Sequence, residues 1–311
     1  VGLRDTDVFQ NTSGYGMFTG GLGFQYGAEK LGALTVPAAA GNTKRQIKFI
    51  TDFGTTCLHI IPSYATRLAE VMYEEGIDPR KDTKLHTVCI GAEPHSEEQR
   101  KRIEQLLGVK AYNCFGMSEM NGPGVAFECT EQNGLHIWED NVIVEIVDPV
   151  TLQPVPEGEV GELVLTTINR EAMPLLRYRT RDLTCILPGD CPCGRTHKRL
   201  ARFKGRSDDM IILKGVNLFP IEKILMQFKE LGSNYLITLE TIGNSDEMLI
   251  EVELSDLFTD DYSALQRLTK GITRQLKDEL LLTPRIKLVA KGSLPTTDGK
   301  AVRVKDHRKL C

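Results

Sequence analysis

"TTCLHIIPSYATRLAEVMYEEG", residues 55–76, sets two periodicities back to back. "TTCLHIIP" is a short, mostly apolar run, which reads as a strand buried on both faces. "SYATRLAEVMYEEG" carries Leu68, Val71 and Met72 at helical spacing and ends on glycine, so it reads as an amphipathic helix. A buried strand followed by such a helix is the repeating unit of a parallel α/β sheet.

The alternation continues on both sides of this stretch. Upstream, "ALTVP" (33–37) is a short β-rich run, and "TKRQIKFITDFG" (43–54) places Ile47, Ile50 and Phe53 on one helical face. Downstream, "LHTVCIG" (85–91) is a second buried strand. "SEEQRKRIEQLLG" (96–108) has Ser96 as N-cap, Gln99 three residues on and Gly108 as its stop, before "VKAYNCFG" (109–116) returns to strand. Ligands bind at the carboxyl ends of the strands in such sheets, which directs attention to "GAEP" (91–94) and "FGMSEM" (115–120).

From about residue 140 the texture changes to short alternating strands, in "NVIVEIVDP", "GEVGELVLTTI" and "LLRYRTRDLTCIL". After "GRSDD" (205–209) come strand, helix, two strands, a long helix with Leu265, Leu268, Ile272 and Leu276, and a final strand. The expected organisation is a domain over 1–206, with an α/β body (1–139) and a small antiparallel β subdomain (140–206), followed by a smaller α+β domain over 207–311.

The 38 basic and 42 acidic residues give a net charge of -4 without a long basic run, which argues against nucleic acid or a membrane as partner. No apolar run has the length of a spanning helix, and the start does not read as a signal peptide. Eight cysteines are too sparse for a disulfide scaffold in 311 residues, so a reducing cytoplasm is expected. Cys57, Cys89, Cys114 and Cys185 lie in or beside apolar runs, and Cys311 is terminal.

The remaining cysteines suggest a metal. "GDCPCGRTHKR" (189–199) holds two thiols around a proline with His197 nearby, and "ECTEQNGLHIWED" (128–140) adds Cys129 and His136. Zinc takes four sulfur or nitrogen ligands in a tetrahedron. The expected ligands are Cys129, His136, Cys191 and Cys193, with His197 as the alternate to His136. A nucleophilic serine finds no support: there is no G-x-S-x-G, Ser118 sits in G-M-S-E, and none of the six histidines is visibly paired with a nucleophile.

Taken in order, "GAEP", "YNCFGMSEMNGPG" (112–124), "YRTRDL" (178–183), "GRSDDMIILKGVNLFP" (205–220) and "LPTTDGKAVRV" (294–304) resemble the motifs of adenylate-forming enzymes, and within them the phenylacetate–CoA ligases. Alone, each reads as a turn, a solvated loop or a polar linker. The resemblance implies ATP-dependent activation of an aryl carboxylate through an acyl-adenylate, release of pyrophosphate, and transfer to CoA with release of AMP. Loading of a carrier protein, or a non-catalytic nucleotide- and zinc-binding relative, are the alternatives.

By the same resemblance the backbone of Gly91, Ala92, Glu93 and Pro94 runs along the adenine. Asn113 hydrogen-bonds it, Phe115 stacks on it in the turn with Gly116 and Met117, Ser118 meets the α-phosphate, and Glu119 holds Mg²⁺. Asp182 accepts from the ribose hydroxyls and Arg206 contacts ribose or phosphate. Asp208 is the hinge of a mobile C-terminal domain, Gly215, Val216 and Asn217 lie at the CoA tunnel, and Lys300 is the catalytic cation. Many members of the superfamily carry glycine where Arg181 stands, while the phenylacetate branch carries arginine. A homodimer is compatible with this reading.

The glycine-rich "NTSGYGMFTGGLGFQYGAEKLG" (11–32) has neither the lysine nor the Ser/Thr cluster of a phosphate loop. By resemblance it lines the acyl pocket, with Ser13, Tyr15 and Phe18 as wall and Gly20 and Gly21 letting a flat ring lie close to backbone. Ser13, where the family often has tyrosine, implies a wider or more polar pocket. The family's own phosphate loop is expected upstream of Val1, so the chain reads as the later part of a ligase.

Overall fold

A computed structural model describes residues 1–16, 18–93, 95–207, 212–213, 216–217, 220–242, 245–255, 262–280, 283–295 and 303–307. The chain divides into two compact units: Val1–Pro94 with Arg102–Asp209, and His95–Lys101 with Met210–Cys311. Among the described residues no helix is long and apolar enough to cross a membrane.

The first unit is built on β1 (Val8–Asn11), β2 (Leu34–Val36), β3 (Cys57–Ile60), β4 (Thr87–Gly91) and β5 (Lys110–Met117). They are all parallel, in the spatial order β5-β4-β3-β1-β2. The connecting helices are α1 (Thr19–Leu31), α2 (Thr43–Asp52), α3 (Pro62–Glu74), α4 (Pro79–Asp82) and α5 (Glu97–Leu107). β3 and β4 are buried throughout, as their continuous apolar runs require. Ile50, Leu58, Ile60, Leu68, Met72, Ile90 and Ile103 pack one core between sheet and helices, each side chain contributing roughly 1.5–3 kcal/mol by leaving water.

Local signals place the helix ends. Asn42 caps α2 by accepting from the Arg45 N–H at 3.1 Å, and Ser96 Oγ does the same for the Gln99 N–H at 3.1 Å. Pro62 opens α3 at its first turn. Gly32, at φ 96°, closes α1 in the left-handed conformation that glycine adopts without a Cβ penalty. Phe53 departs from the sequence reading. α2 ends at Asp52, and the Phe53 ring lies outside the core, 51% exposed and 5.6 Å from Phe49.

Beyond β5 the sheet turns antiparallel through β6 (Gly122–Glu128) and β7 (Leu135–Ile137). A separate three-stranded sheet holds β8 (Val142–Val147), β9 (Gly161–Thr167) and β10 (Tyr178–Thr184). The chain then returns to the large sheet, because β11 (Ile186–Leu187) pairs with β12 (Arg199–Leu200), and β12 pairs with β7. The expected β subdomain over 140–206 is therefore shared between two sheets. Alternation along a strand fixes which side chains are buried but not which sheet buries them.

The second unit contains the hairpin β13 (Ile212–Leu213) and β14 (Val216–Asn217), then α6 (Pro220–Leu225), β15 (Leu231–Ile242), β16 (Ser245–Leu254), α7 (Tyr262–Leu280), β17 (Arg285–Val289) and β18 (Val304–Asp306). Its main sheet runs β17-β16-β15-β18. Leu268, Ile272 and Leu276 of α7 lie buried in its core.

Candidate functional site

β4 and β5 end side by side, and their last residues form the floor of the site. Gly91 is required there, since a Cβ would collide with the Cys114 carbonyl of the neighbouring strand. Ala92 follows at φ 66°, a left-handed conformation that strains an alanine by about 1–2 kcal/mol. The Glu93 carboxylate turns away to cap α3, accepting from Ser63 N–H at 3.0 Å and Ser63 Oγ–H at 2.9 Å. What this segment offers a ligand is therefore backbone. Pro94 lies outside the described residues.

On β5, Asn113 is buried and Phe115 is half-buried against Phe203, with ring centroids 4.2 Å apart. Gly116 lets β6 cross closely, as a Cβ would stand 2.5 Å from both the Gly122 carbonyl and Pro123 Cα. Met117 leads into a 3₁₀ turn over Ser118–Met120, which Asn121 closes at φ 68°. Ser118 is exposed and Glu119 half-buried on that turn, and Arg170 holds the Glu119 backbone by donating to its carbonyl. A cleft of about 260 Å³ opens beside the turn, with Met120, Pro123, Trp138 and Arg170 among its walls.

β10 brings the next groups to the same place. A bulge between Arg179 and Leu183, with Arg181 at φ 69°, interrupts the strand's alternation. Asp182 forms an isolated bridge with Arg206, whose Nη1 lies 3.9 Å from the Asp182 carboxylate. Tyr178 is the residue that sequence reasoning passed over inside its own motif. Burial raises its phenol pKa, the adjoining Glu119 carboxylate raises it further, and the charges of Arg206 and Asp182 also act on it. Glu119, Asp182 and Arg206 thus all act on the Tyr178 phenol, although the four residues come from three separate motifs.

Behind Asp182 sits Glu162, fully buried. Burial pushes its carboxyl upward, but the Arg179 fork at 2.8 and 2.7 Å and the Ser207 hydroxyl at 3.1 Å outweigh that and hold it below the usual carboxylate range. The Ser207 N–H also donates to the Arg181 carbonyl at 2.6 Å. The start of the "GRSDD" segment is therefore pinned to β10 up to Ser207. Asp208, Gly215 and Lys300 lie outside the described residues, while Val216 and Asn217 form β14.

The space a Cβ would take at Gly20 is filled by the Phe18 ring, and that at Gly21 by the backbone of Gly14 and Tyr15, so a side chain at either position would collide within the chain. Phe18 is 43% exposed, and burial raises the Tyr15 phenol. Ser13 is buried, with its Oγ 3.1 Å from His59 Nδ1.

The serine–imidazole pair was invisible in the sequence. Asn11 organises it: its Nδ2 donates to the Gly21 carbonyl at 2.7 Å, so its Oδ1 faces the Ser13 N–H at 3.1 Å and His59 Nδ1 at 3.0 Å. An amide oxygen only accepts, which puts the His59 proton on Nδ1. Burial lowers the His59 pKa to about 3, so the ring is neutral, and it stacks on Phe24 with centroids 3.7 Å apart.

The soft donors gather at the antiparallel flank. One ligand atom each from Cys129, His136, Cys191 and Cys193 all lie within 4.8 Å of one another. Cys129 Sγ is 3.6 Å from Cys191 Sγ, and Cys193 Sγ is 3.4 Å from His136 Nε2. Zinc in a tetrahedron, with Zn–S about 2.3 Å and Zn–N about 2.0–2.1 Å, calls for separations of about 3.8 Å and about 3.5 Å. The donor set fits. His136 Nδ1–H donates to the His197 carbonyl at 3.2 Å, which fixes the tautomer and leaves Nε2 free to ligate. His197 stays outside the cluster, its Nδ1 accepting from the Glu139 N–H at 3.2 Å.

Comparison with known proteins adds a lineage to this geometry. Residues 2–169 match the family described as AMP-binding enzyme, and residues 215–308 match AMP-binding enzyme C-terminal domain. The chain is 42% identical to phenylacetate-coenzyme A ligase of Thermus thermophilus, over 99% of this chain and 73% of that protein. It is 43% identical to phenylacetate-coenzyme A ligase of Pseudomonas putida, over 99% of this chain and 70% of that protein. Among solved structures, 2-hydroxyisobutyryl-CoA ligase in its postadenylation state, in complex with R3-HIB-AMP, matches with a TM-score of 0.92 at 30% identity. That match covers 98% of this chain and 66% of that one, so the chain spans about two thirds to three quarters of these relatives' lengths.

Proposed function

Because the chain belongs to the phenylacetate–coenzyme A ligase family of AMP-binding enzymes, we propose that it is part of an AMP-forming ligase for an aryl-acetate-type acid. A carboxylate oxygen of the acid attacks the α-phosphorus of ATP, the α–β anhydride bond breaks, and pyrophosphate leaves. The CoA thiol, losing its proton, then attacks the acyl carbon, and AMP leaves with the electrons of the acyl–phosphate bond.

The observation that carries this reading is the Asp182–Arg206 pair together with Tyr178, whose phenol feels the charges of Glu119, Arg206 and Asp182. Asp182 would accept from the ribose hydroxyls, with Arg206 balancing its charge. Phe115, backed by Phe203, would present its face to the adenine, and the Gly91–Ala92 backbone would border the base. Glu119 would hold Mg²⁺, which supplies charge neutralisation at the phosphates when bound. Lys300 would place a compact cation at the α-phosphate. Cys129, His136, Cys191 and Cys193 would hold a zinc ion in a closed, structural site. The seven described cysteines are all free thiols, which favours a cytoplasmic setting.

The test is ATP–pyrophosphate exchange by the full-length protein with a panel of aryl and aryl-acetic acids, followed by thioester assay with free CoA. Exchange driven by phenylacetate-type acids, lost on the order of a hundredfold or more in Asp182→Ala, is expected. Exchange without thioester from free CoA would favour delivery to a carrier protein. AMP binding without exchange would leave a non-catalytic nucleotide- and zinc-binding relative. Ser13→Tyr probes selectivity, and an unchanged preference order removes Ser13 from the pocket wall.

A further inference from the structure

The half of β5 that leads to Asn113 has an edge without a strand beside it. β5 pairs with β6 only from Cys114 to Met117. On that side the Ala111 and Asn113 N–H groups and the Ala111 carbonyl point where a ladder partner would be, and buried backbone groups left unpaired are costly. Three side chains finish the edge. Glu104 accepts from the Ala111 N–H at 3.0 Å, Glu128 accepts from the Asn113 N–H at 2.7 Å, and Gln132 Nε2 donates to the Ala111 carbonyl at 2.9 Å. Gln132 Nε2 also donates to Glu104 at 2.8 Å, which ties those two side chains together, while Glu128 acts on Asn113 separately.

Two of these residues flank or lie within the soft-donor loop. Glu128 precedes Cys129, and Gln132 stands in the left-handed turn between Cys129 and His136, at φ 52° with its N–H on the Cys129 carbonyl at 3.0 Å. The opposite half of the cluster is drawn in by Arg199, which is buried on β12. Its guanidinium donates to the carbonyls of Asn133 at 3.0 Å, Pro188 at 3.2 Å and Gly189 at 2.9 Å, so one side chain holds both the Cys129–His136 turn and the loop before Cys191. Arg202, two residues past β12, brings its Nη2 to 3.8 Å from the Glu128 carboxylate.

We infer that the Cys129–His136 loop is a metal-locked brace for the adenine-bearing strand, with Glu128 and Gln132 as positioning residues. This rests on the zinc reading of the cluster. The ion fixes Cys129 and His136; Glu128 stands directly before the first ligand and Gln132 in the turn between the two, and these side chains hold Ala111–Asn113 in register. Metal loading then sets the affinity for the nucleotide's base, although no metal ligand touches it.

The experiment uses the full chain, zinc-loaded or stripped with a chelator, with metal per chain measured directly and Co²⁺ as the spectroscopic substitute for the thiolate ligands. AMP binding is read by calorimetry, and heat denaturation confirms that each form remains folded. Stripping is expected to weaken AMP binding about tenfold, the scale of one buried hydrogen bond left unmade. Glu128→Ala, with zinc retained, should lose a similar factor, and Gln132→Ala about threefold. Glu128→Gln keeps an acceptor for the Asn113 N–H and should stay within about threefold of the parent, a rescue that a general loss of stability would not show. Stripping Glu128→Ala of zinc should add little, because both changes break one link.

If one zinc binds per chain and its removal leaves AMP affinity unchanged, the brace is overturned while the metal reading stands. Stoichiometric binding of neither zinc nor cobalt overturns both. Undiminished AMP binding by Glu128→Ala overturns the brace whatever the metal does.

Discussion

Strands β3 to β5 carry Cys57, His59, Cys89 and Cys114, and the antiparallel flank of the same unit carries Cys129, His136, Cys191 and Cys193. The donor types are the same, yet among the described residues only the second set converges on a point. The inner set lies on adjacent strands of one sheet, where neighbours stand about 4.8 Å apart in a row. Cys57, Cys89 and Cys114 are built into an apolar cluster with Phe9 and Ala28, burial pushes the Cys57 and Cys114 thiols well up, and His59 Nδ1–H donates to Asn11 Oδ1. The outer set comes from the end of β6, from β7 and from the loop between β11 and β12. Segments that approach from different directions can close around an ion, and a row on one sheet face cannot.

Breaking the outer set should have the largest effect. Cys193→Ser is expected to drop zinc from one per chain toward none. It should lower the unfolding free energy by about 3 kcal/mol or more, because the binding energy of a closed site is folding energy. Guanidinium melts with metal analysis would show it, and an unchanged midpoint would refute a structural ion.

Acid should next reveal the inner imidazole. The folded pKa of His59, about 3, lies below its unfolded value. Its contribution is therefore complete above about pH 6.5 and declines as pH falls, since the unfolded chain takes the proton first. At pH 5 the loss relative to pH 7 should be about 2 kcal/mol. Urea midpoints at the two pH values, compared with those of His59→Gln, check this, and equal slopes in both proteins would contradict it.

Smaller effects should separate the sets further. Cys114→Ala or Cys89→Ala removes a packed sulfur, which should cost about 1 kcal/mol without changing zinc content. Ser13→Ala removes only the hydroxyl facing His59 and should cost about 1 kcal/mol or less. Loss of zinc in either inner variant would show that the two sets are not independent.

The parallel core was legible because buried strands and amphipathic helices leave different periods, and "TTCLHIIPSYATRLAEVMYEEG" shows both within one stretch. The soft-donor cluster was legible because thiols stand out in polar loops. The choice between His136 and His197 was not, since it depends on which ring has its Nδ1 proton taken by a carbonyl. Glu104, Glu128 and Gln132 left no signal either. Each looks like any solvated polar residue, and its role arises only where β6 stops short of β5. The pairing of Ser13 with His59, 46 positions apart, likewise follows from strand order and not from spacing. The return of β11 and β12 to the large sheet was hidden for the same reason.

Arg181 shows how two residues can be interchangeable in energy while doing different things. Its left-handed backbone at φ 69° costs an arginine about 1–2 kcal/mol, which glycine would avoid. Glycine, however, adds roughly 0.5–1 kcal/mol of unfolded-chain entropy and gives up a half-exposed cation 3.8 Å from Glu162, worth under about 1 kcal/mol. The opposing contributions nearly cancel, so Arg181→Gly should leave stability close to unchanged. Folding stability therefore hardly distinguishes the two residues at this position, and what an arginine adds there is charge beside Glu162 and the "GRSDD" segment, not a better fold.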